Sequence, residues 1–188
     1  MALTPSNMLE LGIKAPDFSL INVMDGKKIT FRDISGPNGT LVMFLCKHCP
    51  YVIHVEPELK RLTTDYLQHG IGMVAISSND IIKYPQDSPE HMREQALKLG
   101  FTFPYLFDKE QSVARDYAAA CTPDFYLFDS EDLLVYRGRL DESRPGNDFP
   151  LTGKDLRVAI EAVINNKSVP SIQYPSMGCN IKWKEARG

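Results

Sequence analysis

Cys46-Lys47-His48-Cys49 is followed at once by Pro50, and this junction constrains the fold more than any other stretch of the chain. Leu41-Val42-Met43-Phe44-Leu45 before it reads as a buried strand. Pro50 suits the first turn of a helix, where its missing N–H costs nothing. Val52, Val55, Leu59, Leu62 and Tyr66 then repeat at three-to-four spacing and form one apolar stripe. The cysteines therefore sit where a strand hands over to a helix, with the positive end of the helix dipole aimed at Cys46. A thiolate is favoured there, and the thiolate is the nucleophilic form of cysteine.

The chain has 188 residues, 43% hydrophobic and 24% charged, enough for one domain with a full core. A net charge of −3 without a basic stripe gives no reason to expect nucleic acid. The N-terminus lacks a basic region followed by an apolar run, and no segment reaches membrane-spanning length, so a cytoplasmic protein with no membrane partner is expected. Four cysteines in a reducing compartment point to redox or metal chemistry rather than structural disulfides.

Phe18–Ile21 and Lys28–Phe31 flank Asp25-Gly26, which predicts an N-terminal hairpin after a lead-in over residues 1–15. A strand at 41–45 and a helix over roughly 50–69, interrupted by Pro57, come next. Ile71–Ser77 is a continuous apolar run, as expected of a buried parallel strand. Ser88 and Pro89 open a further helix. A short strand at 103–107 precedes Asp108 and Gln111, which read as a capping box for a short helix. Two strands at 124–128 and 133–136 form a second hairpin, Arg137–Pro150 is a polar loop, and Leu156, Ala159, Ile160, Val163 and Ile164 mark the last amphipathic helix. This order predicts an α/β protein whose central mixed sheet carries helices on both faces. One domain spanning 1–188 is expected, with a core over about 13–166 and a C-terminal tail over 167–188.

Ala15-Pro16-Asp17-Phe18-Ser19-Leu20 with Asp25-Gly26-Lys27, the Cys46–Cys49 pair, and Thr122-Pro123 before a strand occur in an order that resembles the thioredoxin superfamily. The resemblance is to the redoxin branch, which holds peroxiredoxins (AhpC/TSA) and TlpA/ResA-type thiol oxidoreductases. It implies a thioredoxin-like fold with an N-terminal hairpin extension and a cis Thr122–Pro123 peptide facing the active site. More narrowly, the FLCKHCPYV stretch and Gly178–Lys184 resemble a poorly characterised group of thioredoxin-like proteins. Leu45 runs directly into Cys46, and Met43 stands where thioredoxin has a buried acid.

The resemblance implies a thiol–disulfide oxidoreductase. Cys46 would attack a substrate disulfide and Cys49 would resolve the mixed disulfide. Protonated His48, together with Lys47, would hold the Cys46 pKa below the free value of about 8.5. Pro123 and Thr122 would leave backbone groups free for a substrate strand, and Tyr51 is a candidate contact beside it. Cys121 reads either as a third thiol or as a small buried apolar residue. Cys179 reads either as an extra resolving thiol or as a packed residue beside Trp183. Asp124 and Glu56 are candidates for steering protons. Partners would be disulfide or dithiol proteins, or small thiols, with no cofactor and no metal.

Two rival functions remain. Peroxiredoxins place a threonine and the peroxidatic cysteine at the positions of Cys46 and Cys49. A peroxidase acting through Cys49 would need Arg137 or Arg139 to reach it. A copper or zinc carrier would use Cys46 and Cys49, but the spacing and the missing second Cys-x-x-Cys fit it poorly.

Overall fold

The computed structural model describes residues 3–185. In chain order the elements begin with β1 (Leu3–Pro5), β2 (Ser19–Asn22), β3 (Lys28–Thr30), α1 (Phe31–Ile34), β4 (Gly39–Phe44), α2 (Pro50–Tyr66) and β5 (Ile71–Ser77). They continue with α3 (Pro89–Leu99), β6 (Tyr105–Phe107), α4 (Ser112–Asp116), β7 (Cys121–Thr122), β8 (Asp124–Asp129), β9 (Leu134–Gly138), α5 (Lys154–Ile164) and β10 (Met177–Asn180). A seven-stranded sheet runs β3-β2-β6-β5-β4-β8-β9. β4 and β5 are parallel, as are β5 and β6, while β8 is antiparallel to β4, so the sheet is mixed. The expected hairpin, β2 with β3, extends one edge. The architecture is thioredoxin-like, as the resemblance implied.

The alternation of β4 shows why both faces are covered. Side chains two apart share a face. Leu41 and Met43, continued by Leu45, join a buried cluster with Val52, Val55, Leu59 and Leu62 of α2, Met92 and Ala96 of α3, and Leu156, Ala159 and Ile160 of α5. Val42 and Phe44 join the opposite cluster with Phe31 and Ile34 of α1 and Val113 and Ala114 of α4. The whole stripe predicted for α2 is buried, and Pro50 occupies the first turn with Cys49 as N-cap.

Three local expectations are corrected. Asp108 and Gln111 form no capping box: Gln111 is the N-cap of α4 at φ 61, with no side-chain bond to the helix. Its amide donates to the carbonyls of Ser78 and Lys182, so tertiary partners take Gln111 out of the motif, while Asp108 accepts from Ser78 and from the Ala114 N–H in the first turn of α4. Arg137 lies within β9, fully buried, and not in a polar loop, because Asp124 and the Tyr126 hydroxyl receive its guanidinium and the Tyr126 ring lies 4.3 Å beneath it.

The third correction concerns the ends of the chain. The lead-in and the tail meet in a second sheet, β1-β10-β7, in which β10 is antiparallel to both neighbours. Ser6 and Ser176 exchange hydrogen bonds at 2.8 and 2.9 Å, and Ser176 Oγ donates to the Pro123 carbonyl at 2.5 Å. Beyond β10, Ile181 N–H donates to Ala120 O, and Lys182 N–H donates to Asn79 Oδ1. Residues 176–182 are thus tied down on both sides of the cis-proline segment.

Candidate active site

The site forms where β4 ends and α2 begins. Cys46 and Cys49 are 1% and 0% exposed. The Thr122–Pro123 peptide is cis. Thr122 Oγ1 lies 3.2 Å from Cys46 Sγ, and the Cys49 thiol lies 3.2 Å from the Thr122 carbonyl. Cys46, Cys49, Thr122 and Pro123 are therefore brought together.

Lys47 and His48 do not act as the free cations expected beside Cys46. Lys47 Nζ pairs with Glu94 at 3.0 Å. His48 Nδ1 lies 2.5 Å from Asp87 Oδ2, and its ring stacks on Tyr84 at 5.7 Å. Asp87, fully buried, also accepts the backbone N–H groups of Lys47 and His48 and the Asn79 amide. Burial works to raise the Asp87 pKa, but these donors, led by His48 and Asn79, outweigh it and hold the carboxyl below its ordinary value. A carboxylate thus stands behind the loop between the two cysteines.

The result reverses the expected ionisation. The Cys46 pKa is raised well above that of a free thiol by its hydrogen bond to Cys49, by burial and by the Asp87 charge. Cys49 is lowered to about 5, first by the hydrogen bond from Cys46, and further by Cys179 and the Val52 N–H of the first turn of α2, against burial. The N-cap position puts Cys49, not Cys46, nearest the unpaired N–H groups of the helix. The two shifts run in opposite directions, so Cys49 gives up its proton before Cys46 does.

Cys179 reaches the same place from the tail. Its register partner across β10 and β7 is Thr122, and it packs in the same buried cluster as Cys46 and Cys49. Burial, then the contact with Cys49, pushes its pKa up to about 12. The edge expected to be free for a substrate strand is therefore occupied by the chain itself. Cys121 is buried with its thiol 3.9 Å from the Pro123 carbonyl, and burial raises its pKa strongly, the behaviour of a small apolar residue. Trp183 sits under Arg115.

Asp124 is fully buried beside Arg137, and burial outweighs the guanidinium to raise its pKa to about 6. Arg139 turns to Asp155 at 2.6 Å and to the Tyr174 ring. Glu56 accepts from Gln95. Tyr51 and Pro123 line an open cleft together with Arg139, Ser143, Arg144 and Met177. Cys46, His48 and Asp87 offer metal-ligating atoms within 4.8 Å of one another. Asp87 already accepts three N–H groups and faces His48 Nδ1, so a metal would have to displace one of these partners.

Asp87 and Asn79 have no site role in the sequence reading, in which Tyr84-Pro85 is only a stretch that could shape a binding rim. The polar stretch Ser77–Asp80 at the end of a buried strand, and the acidic residue just before the Ser88-Pro89 helix start, are the signals that pointed to them.

Residues 11–137 match the AhpC/TSA family. The chain belongs to that family. A crystal structure of an uncharacterized conserved protein from Geobacillus kaustophilus is 50% identical, with a TM-score of 0.97 over 99% of this chain and 98% of that one. A hypothetical protein of Sinorhizobium meliloti 1021 is 43% identical, with a TM-score of 0.95 over 97% of this chain and all (100%) of that one. The thiol-disulfide oxidoreductase ResA of Halalkalibacterium halodurans is 24% identical over 139 residues, 72% of this chain and 73% of that protein.

Proposed function

We propose that this AhpC/TSA family member is a thiol–disulfide oxidoreductase whose redox couple is the Cys46–Cys49 dithiol and disulfide. The observation that carries the reading is that two buried cysteines at the start of α2 both meet Thr122 of the cis-proline segment, Cys46 Sγ at its Oγ1 and Cys49 Sγ at its carbonyl, each at 3.2 Å. Cys49 is enclosed by Cys46, the Thr122 carbonyl and Cys179, whereas Cys46 adjoins the half-buried Lys47 and His48. Cys46 therefore attacks. As its sulfur bonds to one sulfur of the substrate disulfide, its proton passes to Cys49 and a substrate thiolate leaves. Cys49 then displaces the second substrate thiolate from Cys46, closing the Cys46–Cys49 disulfide and releasing a proton. Run backwards, the same steps oxidise a dithiol.

Occupation of the Thr122 edge by β10 favours small disulfides, or an exposed loop of a protein, over a substrate that adds a strand. A cleft beside Pro123, with Tyr51 and Arg144 on its walls, adjoins the site without being lined by either cysteine. The test is an equilibrium redox titration against glutathione, read by alkylation and mass mapping. A reversible two-electron couple at Cys46 and Cys49 is expected, and its absence overturns the reading.

The lowered Cys49 pKa favours one second reading, a peroxidase with Cys49 as peroxidatic thiol. Arg137 and Arg139 are held by Asp124 and Asp155, away from that role. Consumption of hydrogen peroxide that survives Cys46→Ser would favour the peroxidase.

A further inference from the structure

The tail strand does more than seal an edge. Met177, Gly178, Cys179 and Asn180 lie between β1 and β7, and a Cβ on Gly178 would stand 2.0 Å from the Thr122 carbonyl oxygen. Only glycine lets the strand lie this close to the cis-proline segment. The close approach sets the neighbouring Cys179 opposite Thr122, whose carbonyl meets the Cys49 thiol at 3.2 Å, and Cys179 and Cys49 pack in one buried cluster. Cys49 thus has two thiol neighbours, one local in sequence and one 130 residues away.

We propose that Cys179 is a third redox thiol, exchanging with the Cys46–Cys49 disulfide to form an alternative Cys49–Cys179 disulfide. The inference rests on the thiol–disulfide reading above. The Cys179 sulfur attacks Cys49 Sγ, the Cys46–Cys49 bond breaks, and the Cys49–Cys179 bond forms. The electron pair of the broken bond leaves on Cys46, which takes up the proton lost by Cys179. Nothing is oxidised or reduced overall, so no further reactant is needed.

The ionisation of Cys179 is compatible with this order of events. Part of what raises its pKa is the sulfur of Cys49, and that contribution is altered once Cys49 is held in a disulfide, while Lys182 continues to favour the thiolate. The exchange returns Cys46 to the thiol state while the protein keeps its oxidising equivalent. An oxidised protein with a free Cys46 can then engage a second thiol or disulfide at the loop that carries Lys47 and His48. The firm anchoring of residues 176–182 makes Cys179 a built-in member of the site and not a passing substrate.

The experiment equilibrates full-length wild type, Cys46→Ser, Cys46→Ala and Cys179→Ala with oxidised glutathione, quenches by alkylation, and maps disulfides by peptide mass. The relay predicts two disulfides in wild type, Cys46–Cys49 and Cys49–Cys179. It predicts Cys49–Cys179 in more than half of the molecules of both Cys46 variants. It predicts only Cys46–Cys49 in Cys179→Ala. Glutathione adducts at Cys49 in both Cys46 variants, with no Cys49–Cys179 link in any protein, overturn the relay and leave the oxidoreductase reading intact if wild type still forms Cys46–Cys49. No Cys46–Cys49 link in wild type overturns the oxidoreductase reading itself.

Discussion

On the Cys46 side of the site stands Asp87, a buried carboxyl that accepts three N–H groups and whose charge raises the Cys46 pKa. On the Cys49 side the Cys46 thiol, Cys179 and the Val52 N–H lower the pKa, while the Thr122 carbonyl, 3.2 Å away, accepts from the thiol. Two cysteines three residues apart are thereby driven in opposite directions. The contrast teaches that a Cys-x-x-Cys spacing puts two thiols in reach of each other but does not decide which is ionised. That decision comes from segments far along the chain, the 79–88 loop and the 177–180 strand.

The largest way to break the contrast is to remove the low-pKa thiol. A thiol whose folded pKa lies below its unfolded value, about 8.5, contributes stability that is fully present above the unfolded value. That contribution is lost as pH falls through the folded pKa, here about 5. Reduced wild type should therefore gain stability over Cys49→Ser as pH rises from about 5 to about 8.5. Above that window the raised values of Cys46 and Cys179 act with the opposite sign. Urea denaturation of both proteins in reductant across this range checks it, and a constant difference would count against a Cys49 thiolate. Asp124 is present in both proteins. Its raised pKa gives a contribution lost as pH climbs toward about 6, and this cancels in the comparison.

Gly178→Ala attacks the Cys49 side without touching a sulfur. Its methyl would collide with the Thr122 carbonyl. A loss of about 1–3 kcal/mol is expected, seen as a lower urea midpoint at unchanged slope. An unaffected midpoint would mean that β10 is not held against β7 in solution.

Asp87→Asn attacks the other side. Removing the carboxylate charge should lower the Cys46 pKa, since that charge is one of the causes that raise it. The rate of iodoacetamide alkylation of Cys46 against pH reports this directly. Lys47→Ala should have the smallest effect, because Lys47 pairs with Glu94 at the surface. Its Cys46 alkylation profile should overlay that of wild type, and a marked shift would restore Lys47 as a tuning charge.

Much of the scaffold was legible because it is local. The alternation of 41–45, the α2 stripe and the Pro50 helix start each follow from residues close in sequence, and they place Cys46 and Cys49 at the strand–helix junction. The electrostatics were not legible. His48 reads as a free cation until the 79–88 loop brings Asp87 beneath it. Arg137 reads as a loop residue until Asp124 and Tyr126, on the neighbouring strand, are there to receive it. The tail lacks periodicity, and its strand exists because β1 near residue 3 and β7 at residues 121–122 supply hydrogen-bond partners far from it in sequence. Gly178-Cys179 was the one local hint, and only the close approach to Thr122 explains its glycine.

The most direct test of the central claim is the pH dependence of thiolate absorbance in the reduced protein. Wild type should show one thiolate appearing near pH 5, retained in Cys46→Ser, where the serine hydroxyl can still donate to Cys49, and abolished in Cys49→Ser. A low-pH thiolate that vanishes with Cys46→Ser and persists in Cys49→Ser would place the charge on Cys46 and contradict the account.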